Sequence, residues 1–116
     1  MEWNKLRSSD QLAVIREESK QSPILIFKNS SRCSISKMAL DRLERKWNVE
    51  AAAIKPYFLD VLAHREVSNH VAAQFDIEHE SPQVLLIRNG SAIYDSSHLE
   101  IEFREILAAA NSQGQN

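Results

Sequence analysis

Cys33 is the sole cysteine of the chain, and it sits in the run Lys28-Asn29-Ser30-Ser31-Arg32-Cys33-Ser34-Ile35-Ser36. The thiolate is the reactive form of cysteine. It is favoured at the first turn of a helix, where unpaired N–H groups and the positive end of the helix dipole act on it. Arg32 could add a cation beside the sulfur if its side chain folds back. Thiol–disulfide exchange needs such a thiolate, an accessible sulfur and a tolerable leaving group. Three residues on, where a dithiol enzyme would carry its resolving cysteine, stands Ser36. A serine there can donate a hydrogen bond to the thiolate one turn away but cannot close a disulfide. The competing reading is that Cys33 is a small buried hydrophobe. Polar neighbours on both sides argue for exposure instead.

The elements that must position Cys33 are legible around it. Pro23-Ile24-Leu25-Ile26-Phe27 just before the run is continuous and apolar, the pattern of a strand covered on both faces. After Ser34 the period becomes helical, with Ile35, Ala39, Leu43 and Trp47 at four-residue steps and Lys37, Asp41, Arg42 and Glu44 on the wet side. Cys33 is therefore expected where a buried strand hands over to a helix. Upstream, Ser8-Ser9-Asp10-Gln11 resembles a capping box opening a short helix, through Leu12 and Ile15, to near Lys20. Downstream, Lys55–Asp60 reads as a second strand with Pro56 near its start, and Arg65–Phe75 as an amphipathic helix through Val67, Val71 and Phe75. Ser81-Pro82 breaks the chain before Gln83-Val84-Leu85-Leu86-Ile87. Asn89-Gly90 signals a hairpin returning through Ser91–Tyr94. Ser97-x-x-Glu100 is a second capping-box pattern, and Phe103, Ile106, Leu107 and Ala110 line a final helix. The order is helix, strand, helix, strand, helix, strand, strand, helix. It predicts parallel βαβ crossovers plus one antiparallel hairpin, giving an α/β domain over 1–110, with 111–116 a polar tail.

Composition narrows the function classes. The 116 residues carry a net charge of −2, which offers no basic field for nucleic acid or anionic lipid. The longest apolar run, Ile106–Ala110, is five residues, far short of a membrane span. The start, Met1-Glu2-Trp3-Asn4-Lys5, has no signal-peptide core, so a cytoplasmic location with a reduced thiol is expected. His64 and His70 are six apart and share no helical face, so no metal site is expected from the histidines. Asp60 reads as a cap for the following helix, with a place under the site as the alternative. Trp3 and Trp47 read as packing residues. His79 and Glu80 either line the site or hydrogen-bond the loop before Pro82, and His98 reads as structural.

A strand, a cysteine at the next helix's start and a proline introducing a later hairpin resemble the thioredoxin fold. That resemblance implies a mixed four-stranded sheet flanked by helices, with an additional N-terminal helix. It also implies a cis Pro82 lying against the reactive cysteine. More specifically, the chain resembles the monothiol bacilliredoxin, or YtxJ-like, family. The stretches that carry this are Phe27-Lys28-Asn29-Ser30, Cys33-x-Ile35-Ser36, Leu59 to Asn69, His79-Glu80-Ser81-Pro82-Gln83 and Ser96-Ser97-His98. The stretch from His79 to Gln83 is the most specific. The family's usual Thr before and Pro after the cysteine are here Arg32 and Ser34.

The resemblance implies a monothiol oxidoreductase that removes bacillithiol, or a similar small thiol, from mixed disulfides on client proteins. Cys33 would be the nucleophile. Arg32, Ser34, Ser36, His79, Ser81 and Pro82 would be the supporting and substrate-positioning set. No cofactor is bound in this reading; bacillithiol is a co-substrate, and the protein is a monomer or weak dimer. Two alternatives are an iron–sulfur carrier of the monothiol glutaredoxin type and a non-catalytic thioredoxin-like adaptor. The first is disfavoured because Cys33-Ser34-Ile35-Ser36 lacks that group's glycine-containing C-G-F-S motif.

Overall fold

Alternation along Ile24–Phe27 decides the layering. Ile24 and Ile26 face one cluster, with Leu12, Ile15, Val67, Val71 and Phe75. Leu25 and Phe27 face another, with Ala39, Leu43, Phe103, Ile106 and Leu107. A strand apolar on both faces must be central, and here all four residues are fully buried. Each such side chain contributes about 1.5–3 kcal/mol of burial. The computed structural model describes residues 1–113. In chain order the elements are β1 (Asn4–Lys5), α1 (Gln11–Glu18), β2 (Ile24–Asn29), α2 (Ser34–Lys46), β3 (Lys55–Asp60), α3 (Arg65–Phe75), β4 (Gln83–Arg88), β5 (Ser91–Ser97) and α4 (Phe103–Gln113). Short 3-10 turns occupy Val49–Ala51 and His98–Glu100.

The strand order is β1-β3-β2-β4-β5. β3 runs parallel to β1 and β2, while β4 is antiparallel to both β2 and β5. Helices α1 and α3 pack on one face of this sheet, α2 and α4 on the other. Asn89 and Gly90 both take positive φ, 52° and 78°, in a two-residue turn between the paired residues Arg88 and Ser91. That is the I′-type geometry which matches strand twist and favours Asn-Gly. The turn is anchored by Ser19, whose carbonyl accepts from Asn89 N–H and whose hydroxyl accepts from Gly90 N–H. Among the described residues no helix is long and apolar enough to cross a membrane.

The expected mixed sheet is present, but with five strands rather than four. The extra strand, β1, is only two residues long and carries no periodic signal. The Ser8 box is half formed: the Gln11 side chain accepts from Arg7 and Ser8 N–H, but the helix starts at Gln11 and no side chain caps it. Ser97 caps no helix either, because the chain turns through His98–Glu100 before α4 begins. Helix α4 runs to Gln113, three residues into the expected tail; the rest of that tail lies outside the described residues. Trp3 packs edge-on against Phe27 and Phe58, and Trp47 lies tilted against Phe103, both as packing residues.

Candidate active site at the end of β2

The C-terminal end of β2 gathers the residues of interest. Asn29 pairs with Asp60 of β3, Lys28 pairs with Gln83 of β4, and Gln83 pairs with Ser97 of β5. One residue before β4, the Pro82 carbonyl accepts from His98 N–H at 2.9 Å. Pro82, His98 and the β2–α2 turn therefore share one edge of the sheet. The Ser81–Pro82 peptide bond is cis. His98, at positive φ, closes the corner, and its Nε2 lies 3.4 Å from the Glu80 carboxylate. The Ser81 hydroxyl is buried without a hydrogen-bond partner.

Cys33 is the N-cap of α2, with extended backbone angles and a half-buried side chain. Its thiol is held below the ordinary value, chiefly by the Ser36 backbone N–H, against a smaller opposing effect of burial. The Ile35 N–H and the Ser36 hydroxyl add to the lowering. These are orphan donors of the first helical turn, aimed at where negative charge resides. Ser36 itself is fully buried, and its Oγ accepts from Ser30 N–H at 3.2 Å, leaving its own proton for the sulfur. It thus ties the loop before the cysteine to the helix after it.

Helical periodicity assigned Ile35 to the buried face, but Ile35 is exposed and Ser36 lies inside. The Ser30 N–H needs a buried acceptor, and only a polar side chain at this position provides one. Ile35 and Met38 instead form an apolar surface next to Cys33, with Leu99 also exposed on the adjoining turn. A cleft of about 190 Å³ opens beyond it, lined by Met38, Arg42, Arg45 and Leu99.

Arg32 and Ser34 flank the sulfur and are both exposed. Neither contributes to the thiol's lowered value, which comes from N–H and O–H donors rather than from a neighbouring cation. Asp60 caps the turn entering α3, accepting from Leu62 and Ala63 N–H; His64 is that helix's N-cap. Among the described residues no group of His, Cys, Asp and Glu could hold a metal.

One residue escaped the sequence reading. Lys28, which ends the apolar run of β2, is fully buried, and its Nζ lies 3.1 Å from His79 Nδ1. Gln83, its register partner, is also buried; it donates to Glu78 O and accepts from Glu80 N–H. A lysine and a glutamine at paired positions, each next to a continuous apolar run, were the available signal.

The fold and this edge define a redox protein of the thioredoxin class. A solved structure described as "A putative oxidoreductase with a thioredoxin fold" is 31% identical, with TM-score 0.77, covering 92% of this chain and 91% of that one. The thioredoxin from Trypanosoma brucei brucei shares the fold at 13% identity and TM-score 0.76, over 99% of this chain and 93% of its own. The Malassezia sympodialis thioredoxin does so at 16% identity and TM-score 0.73, over 96% and 90%. The chain belongs to the monothiol bacilliredoxin family: the family model "Monothiol bacilliredoxin BrxC" matches residues 4–106.

Proposed function

We propose that this thiol oxidoreductase removes bacillithiol, or a similar small thiol, from mixed disulfides on client proteins, with Cys33 as the nucleophile. The observation that carries the reading is the pairing of Cys33 at the N-cap of α2 with Ser36 one turn on, in a chain with no second cysteine. The Cys33 thiolate attacks the small thiol's sulfur. A new disulfide forms between Cys33 and the small thiol, the client–small-thiol bond breaks, and the client sulfur leaves as a thiolate that takes a proton from water. A second molecule of small thiol then attacks the Cys33 adduct. This releases a symmetrical small-thiol disulfide and regenerates the Cys33 thiolate. Ser36 cannot resolve the adduct internally, so an external thiol is required. Pro82 and Ser81 would position the mixed disulfide, and the apolar surface of Ile35 and Met38 offers a client a place to rest.

The test is intact-mass analysis of the protein incubated with a bacillithiolated client, in parallel with the glutathionylated form of the same client. Transfer of the small thiol to Cys33, with release of reduced client, is expected. Cys33→Ser should give neither. A client that stays modified at equal protein concentration sinks the reading, and iron bound to the purified protein would turn it towards a cluster carrier.

A further inference from the structure

The exchange step does not use Lys28, yet a buried ammonium without a carboxylate partner is destabilising in itself. Alternation in β2 turns it to the α3 side of the sheet, in line with Ile24 and Ile26. Its Nζ donates to the Ser68 carbonyl at 3.3 Å and to His79 Nδ1 at 3.1 Å. An ammonium has donors only, so Nδ1 accepts and the ring proton of a neutral imidazole sits on Nε2. The Ser68 hydroxyl approaches the same Nδ1 at 3.2 Å. Beside Lys28, Gln83 holds Glu78 and Glu80 by their backbones. Two adjacent buried side chains therefore grip three consecutive residues of the loop that enters Pro82.

We propose that Lys28 is a positioning residue: through His79 it sets the Pro82 loop at the Cys33 edge of the sheet, and protonation of His79 releases that loop. The groups that face His79 are Lys28 from β2, Arg65 and Ser68 from α3, and Glu80 from the loop itself. Burial first, then the cations Lys28 and Arg65, disfavour the imidazolium; Glu80 favours it; and the balance holds His79 below the ordinary histidine value. The grip is therefore complete at neutral pH, and the switch lies on the acid side. An imidazolium would turn an N–H towards the Lys28 ammonium. The proposal rests on Cys33 being the exchange nucleophile, and it leaves the sulfur's own reactivity untouched.

Two measurements test it. The first is an NMR titration of the histidine rings in the wild type and in Lys28→Met. The His79 midpoint should lie below the ordinary histidine value in the wild type and rise in the variant. An unmoved His79 midpoint overturns the Lys28–His79 link whether or not the protein exchanges thiols. The second is the exchange rate divided by the rate of Cys33 alkylation by iodoacetamide, a ratio that cancels the thiolate fraction. In the wild type this ratio should fall as pH drops through the His79 midpoint. His79→Leu, on an exposed loop position, should lower it about tenfold at neutral pH, as misplacement of a positioning element does, and should meet the falling wild-type ratio in acid. His79→Gln, whose amide oxygen can still accept from Lys28, should recover most of that loss and remove the acid fall. A Leu variant with the wild-type ratio, or a Gln variant as poor as Leu, refutes the positioning role. A wild type that alkylates normally but exchanges with no mixed disulfide refutes instead the exchange reading, and the titration then decides the Lys28–His79 link alone.

Discussion

Two lysines mark opposite ends of the same strand pair, and the fold treats them in opposite ways. Lys55, at the start of β3 opposite Ile24, reaches the Glu18 carboxylate, which also accepts from the Tyr57 hydroxyl at 2.6 Å. The bond to Glu18 raises Lys55 above its ordinary value. Burial alone would raise Glu18, but its bonds to Lys55 and Tyr57 outweigh that and hold it lower. Lys28, at the other end of β2, is fully buried with a histidine and a carbonyl as partners, and burial lowers it to about 8. One end of the sheet has a self-satisfied ion pair. The other carries a charge the fold does not neutralise, at the end of the sheet from which β2 leads into the candidate nucleophile. Unneutralised polar groups of this kind cluster where function is set against stability.

The largest effect expected at the Cys33 end is the complete loss of small-thiol transfer in Cys33→Ser, read by intact mass. The sulfur is half-buried at a helix cap, so its replacement by an oxygen that can still accept from the Ser36 N–H should leave the denaturation midpoint nearly unchanged. Loss of folding together with loss of transfer would instead make Cys33 a core residue.

Next in size is the alkaline stability of Lys28→Met. In the folded protein Lys28 releases its proton near pH 8, whereas in the unfolded chain it does so near 10.5. Between those values the unfolded state binds more protons, so this residue makes stability rise with pH. A shift of this size corresponds to an upper limit of about 3 kcal/mol. Lys28→Met should therefore be at least as stable as the wild type at pH 7, while exchanging more slowly. Its advantage should shrink as pH rises from 8 towards 10.5, as followed by urea denaturation. Lys55 has the opposite slope: its raised folded value means that stability present below pH 10.5 is lost above it. A variant that loses stability at pH 7 would make Lys28 an ordinary stabilising contact.

Much of this contrast was out of reach of the sequence, for identifiable reasons. Elements with strong periodicity came through: β3 and α3 have the expected bounds, and the Asn89-Gly90 turn pairs the expected strands. Patterns failed where a polar group inside the protein overrode them. Hydrophobicity placed Ile35 inside and left Ser36 to the sulfur alone, because nothing in the pattern announces that Ser30 N–H needs an acceptor. Lys28 drew no reading of its own because its partners lie on α3 and on the loop after it, 40 and 51 residues away. The Ser8 and Ser97 boxes gave way to local geometry: the Gln11 side chain accepts from Arg7 and Ser8 N–H, and the His98–Glu100 turn precedes α4. The position of Cys33 was legible because it depends only on a strand followed by a helix.

Ser36 offers a smaller and more local test of the Cys33 end. Ser36→Ala removes the hydroxyl that helps hold the thiol down and leaves the Ser36 and Ile35 N–H groups in place. The Cys33 midpoint, followed by ultraviolet thiolate absorbance, should rise part of the way towards an ordinary cysteine. The Ser30 N–H loses its acceptor at the same time, which should cost about 1–3 kcal/mol. An unchanged thiol midpoint would assign the lowering to the helix backbone alone.

The smallest effect belongs to the far end, and it keeps the comparison honest. Glu18→Gln removes the charge that Lys55 and Tyr57 share. Both partners of the ion pair reach solvent, with side-chain exposures of 37% and 27%, so screening should limit the loss to under about 1 kcal/mol. The sign of its pH dependence is fixed by Glu18's lowered value: the contribution is present above pH 4.5 and disappears as pH falls through the folded midpoint. Glu18→Gln should therefore approach the wild type in acid and differ from it slightly at pH 7, in urea denaturation at both. Its exchange-to-alkylation ratio should match the wild type throughout, because the ion pair sits at the opposite end of the sheet from Cys33. If that ratio falls as it does in His79→Leu, the sheet transmits the change along its length. The two ends would then be one coupled unit, and the loop grip at Lys28 could no longer be assigned to local contacts.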